Sequence, residues 1–461
     1  MRVDLAAYHP LENFFGTQMV TVALTKAVIA TTRFGFVAKE GDLVRVARDP
    51  QGWVLQQLDR PPVRLESDLP AAALMVAAML EARRDKSEEG RRRENQRLRA
   101  IYLAEVEARV KAAATTDVPL LERLTYFWSN HFTVSCVRPV IRGFAGAFER
   151  EAIRPHVTGR FVDMLLAAER HPAMLFYLDQ VMSIGPNSVV GLRLHRGINE
   201  NLGREMLELH TLGVDGGYTQ ADVDALAKIL TGWSIARLRM PDAGSFHFYP
   251  QLHEPGSKVL LGKTYRENGY QEGVEALHAL ASHPATARHI ATKLAIHFIA
   301  DQPPRGAVER IAAVFRETDG DLKQVTAAVV REKAVWETPF AKIRTPNDLV
   351  VAASRVTGFV PPAPLLAYSL RGLNQMPFFA PQPEGWADDA SHWVNPESVL
   401  RRAAWCQIFA ARVPEPDDPI ERSNATFGEM LPAETAQTIR RAPSRREALA
   451  LMLATPEFQR R

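Results

Sequence analysis

The stretch Asn199-Glu200-Asn201-Leu202-Gly203-Arg204-Glu205-Met206-Leu207-Glu208-Leu209-His210-Thr211 concentrates carboxylates, amides, an arginine and a histidine in a few helical turns. At about 100° per residue, Asn201, Arg204, Glu205 and Glu208 fall within roughly 100° of one another. Leu202, Met206 and Leu209 take the opposite side. Carboxylates at i and i+3 beside an amide suit a divalent metal ion or a general acid/base pair. Glu205 and Glu208 are therefore candidate catalytic and metal-ligating residues, with Asn201 and Arg204 as candidate binding residues. The same pattern also suits a salt-bridged helix surface. Glu200–Arg204 and Arg204–Glu208 are both i,i+4 pairs, worth roughly 0.2–0.5 kcal/mol each when exposed. His210 projects to the far side of a regular helix, so it cannot share an ion with Glu205 and Glu208. The Glu-x-x-His spacing of di-iron bundles is absent, since Glu208 follows Glu205 at i+3 and Thr211 follows Glu208. Nitrogen ligands must come from elsewhere, and His131 and His253 are the candidates.

His131 belongs to a predicted helix Leu120–Phe132 whose Leu121, Leu124, Phe127, Trp128 and Phe132 form an apolar stripe. An imidazole on such a stripe reads more readily as a core group bonded to a carbonyl than as a ligand. It is also the third candidate catalytic residue. Asn130, a candidate binding residue, points away from the stripe. The two meet at one site only if the helix ends there, which Thr133-Val134-Ser135 allows. His253 lies in the turn His253-Glu254-Pro255-Gly256 between the extended runs Phe246–Tyr249 and Lys258–Leu261, which read as a β-hairpin or arm. Lys258 is a candidate anion contact.

The elements that must position these groups are helical. Periodicity predicts helices at Leu69–Arg84, Arg93–Ala114, Arg142–Ile153, Val157–Glu169, Glu272–Ser282, Pro284–Ile299, Ala307–Arg316, Leu322–Arg331, Pro346–Thr357 and Glu397–Ala411. Thr116-Asp117-Val118-Pro119 starts a further one. Thr219-Gln220-Ala221-Asp222 and Ser444-Arg445-Arg446-Glu447 fit capping boxes. Gly213-Val214-Asp215-Gly216-Gly217-Tyr218-Thr219 reads as a helix C-cap, a tight turn and a new N-cap. It lacks the ligand series of a calcium loop and the Gly-Lys-Ser/Thr of a phosphate cradle. Between Arg83 and Arg99, basic residues interleave with Asp85, Glu88, Glu89 and Glu94, which favours a solvated helix face over an anion site. The Pro-rich segment Val360–Pro396 is expected to be a long loop of the kind that lines sites.

Composition sets the outer bounds. The chain has 461 residues, 46% hydrophobic and 24% charged, with a formal net charge of +3. That describes a globular protein with ample core and no global field toward nucleic acid or membrane. Cys136 and Cys406 are too few for a disulfide framework or a thiolate cage. The longest apolar stretch, Met19–Ala30, is broken by Lys26, so no membrane span is expected. The N-terminus reads Met-Arg-Val-Asp-Leu without a signal-peptide pattern, which points to the cytoplasm and leaves envelope association open. The fold expected is mainly α, a multi-helix globular bundle with a small β-hairpin insertion and a long Pro-rich loop. Residues 1–32 read as an N-terminal extension and 33–461 as one large helical domain. Within it, lobes 33–235 and 263–461 are joined by the extended segment 236–262.

Several stretches carry a resemblance: Arg33-Phe34-Gly35-Phe36, Phe127-Trp128-Ser129-Asn130-His131-Phe132, His171-Pro172-Ala173-Met174-Leu175 with Tyr177-Leu178-Asp179, and Asn199-Glu200-Asn201 through Gly213. Gly217-Tyr218-Thr219, Thr231-Gly232-Trp233, His253 ahead of Lys258 and Leu261-Gly262, and Gly385-Trp386 extend it. Together they resemble the bacterial domain-of-unknown-function family numbered 1800, from about Thr32 to the end. One departure is Ser129, where the family usually has histidine. The resemblance implies a mainly helical bacterial protein without a settled activity. It also implies, as a partner, a protein of domain-of-unknown-function family 1501, which looks like sulfatases and alkaline phosphatases.

Two functions are compatible with these residues. The first, preferred, is an assembly or interaction protein acting with that phosphatase/sulfatase-like partner in building an envelope or surface component. The second is a metal-dependent hydrolase or oxidase using Glu205 and Glu208 with His131 or His253, its cofactor a divalent metal ion. No nucleophile elbow, catalytic-cysteine context or dinucleotide fingerprint narrows the chemistry.

Overall fold

The computed structural model describes residues 17–65, 68–85, 87–414, 416 and 418–461. The first half of the expected N-terminal extension and Lys86 lie outside them. Helices make up most of the described residues, and the strands among these form two antiparallel two-stranded sheets. The chain is mainly α.

Helix α1 (Glu88–Thr115) opens with Ser87 accepting a hydrogen bond from the Gly90 N–H at 2.9 Å. Its first turns pair Arg92 with Glu88, Arg93 with Glu89 and Arg97 with Glu94, mostly in solvent. The charge-dense segment is thus a solvated face. Helix α2 (Pro119–His131) runs through the core. Leu121, Leu124, Phe127 and Trp128 are buried along it, and Phe132 follows. Trp128 packs on Phe132 and Phe161, with ring centroids 6.3 and 5.9 Å apart. Truncating an aromatic of this kind costs about 3–5 kcal/mol.

Two predicted helices are shorter or more broken than their periodicity suggests. The run Arg142–Ile153 divides into the 3-10 turn Pro139–Gly143, the α-turn Ala145–Phe148 and the π-turn Glu149–Ile153. Helix α3 (Phe161–Arg170) starts four residues later than Val157. The intervening backbone is spent on another segment: Phe161 N–H donates to Gly320 O, and Leu322 N–H donates to Gly159 O, both at 2.8 Å.

The polar stretch Asn199–Thr211 contains α4 (Asn201–Glu205), continued by a π-turn over Met206–His210. The extra residue in that turn shifts the phase of everything after Met206. The buried face is Leu202, Met206, Leu207 and His210, whereas Leu209 is half-buried. Gly213 and Gly217, with φ of +86° and +83°, then turn the chain into α5 (Gln220–Ile229). Thr219 and Asp222 cap α5 reciprocally, as their spacing predicts.

The small β insertion is present, but its pairing differs from the expected one. Strand β1 (Trp233–Ile235) pairs with β2 (Phe246–Phe248), and β3 (Lys258–Leu260) pairs with β4 (Lys263–Tyr265). The runs Phe246–Tyr249 and Lys258–Leu261 are therefore in different sheets. Leu261 and Gly262, both at positive φ, make the tight turn that gives β3 its local partner. Helices α6 (Tyr270–Ala281), α7 (Pro284–Phe298) and α8 (Pro346–Thr357) follow their predicted positions closely. The Pro-rich segment is not one loop. It contains α9 (Ala363–Gly372), which accommodates proline in its first turn, and the short helix Ala390–Trp393. Its irregular part is residues 373–389.

Candidate functional site

A cavity of about 550 Å³ lies where the C-terminal end of α2, the last turns of α7, the first turn of α8 and the 375–389 loop meet. Its wall includes Asn130 and His131 from α2, Lys293 and His297 from α7, Asn347 and Asp348 from α8, and Glu384 to Asp389 from the loop. A volume of this size is typical of a small-molecule site.

Helix α2 ends at His131, so Asn130 and His131 both reach the cavity despite pointing apart on a regular helix. The Asn130 amide grips the loop backbone: Nδ2 donates to Trp386 O, and Trp386 N–H donates to Oδ1, each at 2.8 Å. Gly385 makes this approach possible. Its φ is +86°, and a Cβ there would stand 2.5 Å from Asn130 O.

His131 Nε2 lies 3.2 Å from His210 O, and His289 Nε2 lies 3.0 Å from Leu209 O. A carbonyl only accepts, so each imidazole donates through Nε2–H, which makes Nδ1 the lone-pair nitrogen. Two histidines from α7 and α2 thus cap carbonyls that the end of the π-turn leaves free. Thr211 Oγ1, donating to Met206 O at 2.6 Å, and Gly213 N–H, donating to Leu207 O at 3.2 Å, cap two more. Burial, and then the Lys293 charge, hold His131 well below the ordinary imidazole value. The same influences push His289 down to about 4. His210 itself packs inward, its Nδ1 2.6 Å from Glu169 Oε1, although the contact is out of line for a hydrogen bond.

A dense ionic network makes up part of the cavity wall and continues behind it. His297 Nδ1 pairs closely with Asp388 Oδ2. Arg461 reaches Asp388 at 3.4 Å and Asp348 at 3.3 Å, and Arg123 reaches Asp348 at 3.1 Å. Lys342 pairs with Asp301 and donates to Asp388 O at 2.7 Å. His297, despite Asp388, is pushed down to about 4 by burial. Although buried, Asp388 is held far below the usual carboxylate range by His297, Arg461 and Lys342.

Lys293 differs from these groups. It forms no hydrogen bond or ion pair with any described residue, and burial brings it down to about 8 against the pull of Asp388 and Glu384. Three buried wall atoms also have no partner: His131 Nδ1, Asn347 Oδ1 and Trp386 Nε1.

The sequence candidates divide accordingly. Asn130 and His131 are in the cavity wall. Glu205 is half-buried and its carboxyl is raised, by burial and by Glu208 and Glu384; it stands within electrostatic reach of the cavity rim. Glu208 is half-buried, 3.6 Å from Arg204, and Arg204 also binds Glu200 and Gln220 at 3.0 and 2.9 Å. That is the salt-bridged arrangement their spacing allowed. Asn201 is exposed. His253 and Lys258 do not approach α4. His253 Nδ1 is 2.8 Å from Thr231 O, and its Nε2 is 3.0 Å from Glu272 Oε2. Lys258 donates to the same Oε2 at 3.1 Å and to Glu254 O at 2.6 Å. Neither has a group left for an ion, because the β3–β4 turn folds them against α6. Among the described residues, no three His, Cys, Asp or Glu side chains are grouped to hold a metal ion. Glu205, Glu208, His131 and His253 therefore do not make a metal centre together.

Sequence reasoning missed Lys293, His297 and Asp388. The signal available was His289-x3-Lys293-x3-His297, a basic stripe at helical spacing within an otherwise apolar helix.

Fold and site together define a mainly helical protein with a cavity at the junction of its core helices and an ordered loop. The chain belongs to the family described as "Protein of unknown function (DUF1800)", which it matches over residues 29–460. No curated protein and no solved structure matches it. Ser129 lies in the cavity wall. Among the described residues, no helix is long and apolar enough to cross a membrane.

Proposed function

We propose that the protein binds a small, uncharged polar molecule in the cavity beside Lys293. The observation that carries this reading is the Lys293 amine, which belongs to the cavity wall and has no hydrogen bond or ion pair with any described residue; His131 Nδ1, Asn347 Oδ1 and Trp386 Nε1, of residues in the same wall, are buried without partners. A buried polar atom left unsatisfied costs about 1–3 kcal/mol. A ligand presenting a hydroxyl or a carbonyl gives the Lys293 amine the partner that the fold does not supply. The carboxylates of Asp388 and Glu384 act on Lys293 already, which disfavours an anionic guest. The test is a thermal-shift and ligand-observed NMR screen of small polyols, amides and carbonyl compounds. It compares the native chain with Ser129→Trp, which fills the cavity at a position where the family carries a larger side chain. Hits lost in Ser129→Trp support the reading. A screen whose hits are the same for both proteins, or empty, overturns it.

A second reading, an assembly protein working with a phosphatase/sulfatase-like partner, is favoured by a separate observation. Met182, Val189, Leu192 and Leu194 are 53, 75, 62 and 51% exposed along one short stretch ahead of α4. Leu192→Lys would abolish co-purification of such a partner while leaving cavity ligands bound. The metal-dependent alternative at Glu205 and Glu208 lacks a comparable supporting observation.

A further inference from the structure

We propose that Lys293 is an amine nucleophile that forms an imine with an uncharged aldehyde or ketone held in the cavity. This rests on the reading of the cavity as a ligand site and adds its chemistry. Lys293 is half-buried; Lys258 and Lys342 are buried, but both are tied into ion pairs and hydrogen bonds. Lys293 has neither, and it stands on α7 one turn from His297 and one turn from His289. Most other charged wall groups are paired, Arg109 with Glu149, Asp348 with Arg123 and Arg461, Asp301 with Lys342, and Asp388 with His297, while Asp389 caps the helix Ala390–Trp393 and Glu384 is exposed at the rim. The amine is therefore the reactive group that the fold leaves free where a guest would sit.

His131 belongs to the same cavity wall. Its Nε2–H is committed to His210 O, so its unpartnered Nδ1 is an acceptor, and Lys293 is the strongest electrostatic influence on it. The step balances without an oxidant or reductant. The Nζ lone pair of neutral Lys293 adds to the carbonyl carbon, and the carbonyl π pair moves to oxygen. The proton released from nitrogen is transferred to that oxygen. A second proton from nitrogen leaves with the oxygen as water, and the C=N bond forms. Amine and carbonyl thus give imine and water. Burial favours the neutral amine: with a value of about 8, Lys293 has on the order of two hundred times more free amine at pH 7.4 than an ordinary lysine. A weaker intrinsic nucleophile offsets part of that gain.

The test is reductive trapping on the full chain at pH 7.4. Glycolaldehyde is the uncharged probe, glyoxylate the anionic one, and cyanoborohydride delivers hydride to the imine carbon; modified peptides are located by mass spectrometry. Lys293 is expected to label at least ~10-fold faster with glycolaldehyde than the exposed Lys263 and Lys333. Lys293→Arg removes that adduct alone, and Ser129→Trp suppresses it although Lys293 is present. Labelling spread over exposed lysines with Lys293 unmodified overturns the imine. Faster trapping of glyoxylate than of glycolaldehyde overturns the uncharged guest. If the imine fails but the screen still finds ligands that Ser129→Trp loses, the cavity reading stands without it. If those are lost too, both fall.

Discussion

Acidifying the protein from pH 7 to pH 5 should destabilise it through the imidazoles that cap the π-turn, and His289 allows the effect to be isolated. His289 donates to Leu209 O as a neutral ring, and its folded value is about 4 against an unfolded value of about 6.5. Between those values the unfolded chain binds more protons than the folded one. Stability is therefore fully present above about pH 6.5 and is lost as pH falls toward 4. One such group costs about 2 kcal/mol at pH 5, and the partial exposure of His289 reduces that to roughly 1–2 kcal/mol. In His289→Gln, the amide nitrogen stands where Nε2 stood and donates to the same carbonyl, but it does not titrate. Urea denaturation should find the two proteins within ~0.5 kcal/mol at pH 7. At pH 5 the variant should be the more stable by roughly 1–2 kcal/mol. Parallel losses in both proteins would refute the assignment of His289 as a neutral cap.

Three further outcomes are expected. Lys293→Met should stabilise the protein at pH 7 by as much as ~2–3 kcal/mol, because the folded value near 8 lies below the unfolded one. That advantage should shrink as pH rises from 8 toward 10, as thermal melts across the range will show. Asn130→Ala removes both hydrogen bonds to the Trp386 backbone and should cost about 1–3 kcal/mol, with faster hydrogen exchange at the Trp386 amide. Gly385→Ala combines a positive φ with a Cβ 2.5 Å from Asn130 O, so it should cost more than ~1 kcal/mol by chemical denaturation and weaken any cavity ligand.

Elements with one dominant local signal were legible in the sequence. Leu322–Arg331 and Pro346–Thr357 have an Asp and a Thr cap, a strong apolar stripe and clear stops, and their bounds are as read. The Thr219 box and the two positive-φ glycines before it are equally local. The failures came where a distant partner decides. Phe246–Tyr249 and Lys258–Leu261 each have strand character, but register depends on a pairing choice that alternation does not encode. Phe246–Phe248 pairs with the preceding Trp233–Ile235, and Lys258–Leu260 with the following Lys263–Tyr265. Ala363–Gly372 was hidden by the prolines around it, although proline in a first turn is compatible with a helix.

The site shows the same division more sharply. Glu205, Glu208 and Arg204 stood out because helical spacing makes charged neighbours visible, and the structure uses Glu200, Arg204 and Glu208 as such spacing most often is used, in a half-exposed ionic ladder. His131 stood out for its place on an apolar stripe, and its Nε2 does bond a carbonyl. What made it more than a core imidazole could not be read locally. The π-turn frees the Leu209 and His210 carbonyls, which draw His289 and His131 onto one helix end. Fixing His131 through Nε2 leaves its other nitrogen unpaired beside Lys293, which belongs to a helix about 160 residues further along the chain. A structural cap at one ring nitrogen thus sets the chemistry available at the other. The residue that uses it becomes evident only when α2 and α7 are seen to share the same helix terminus.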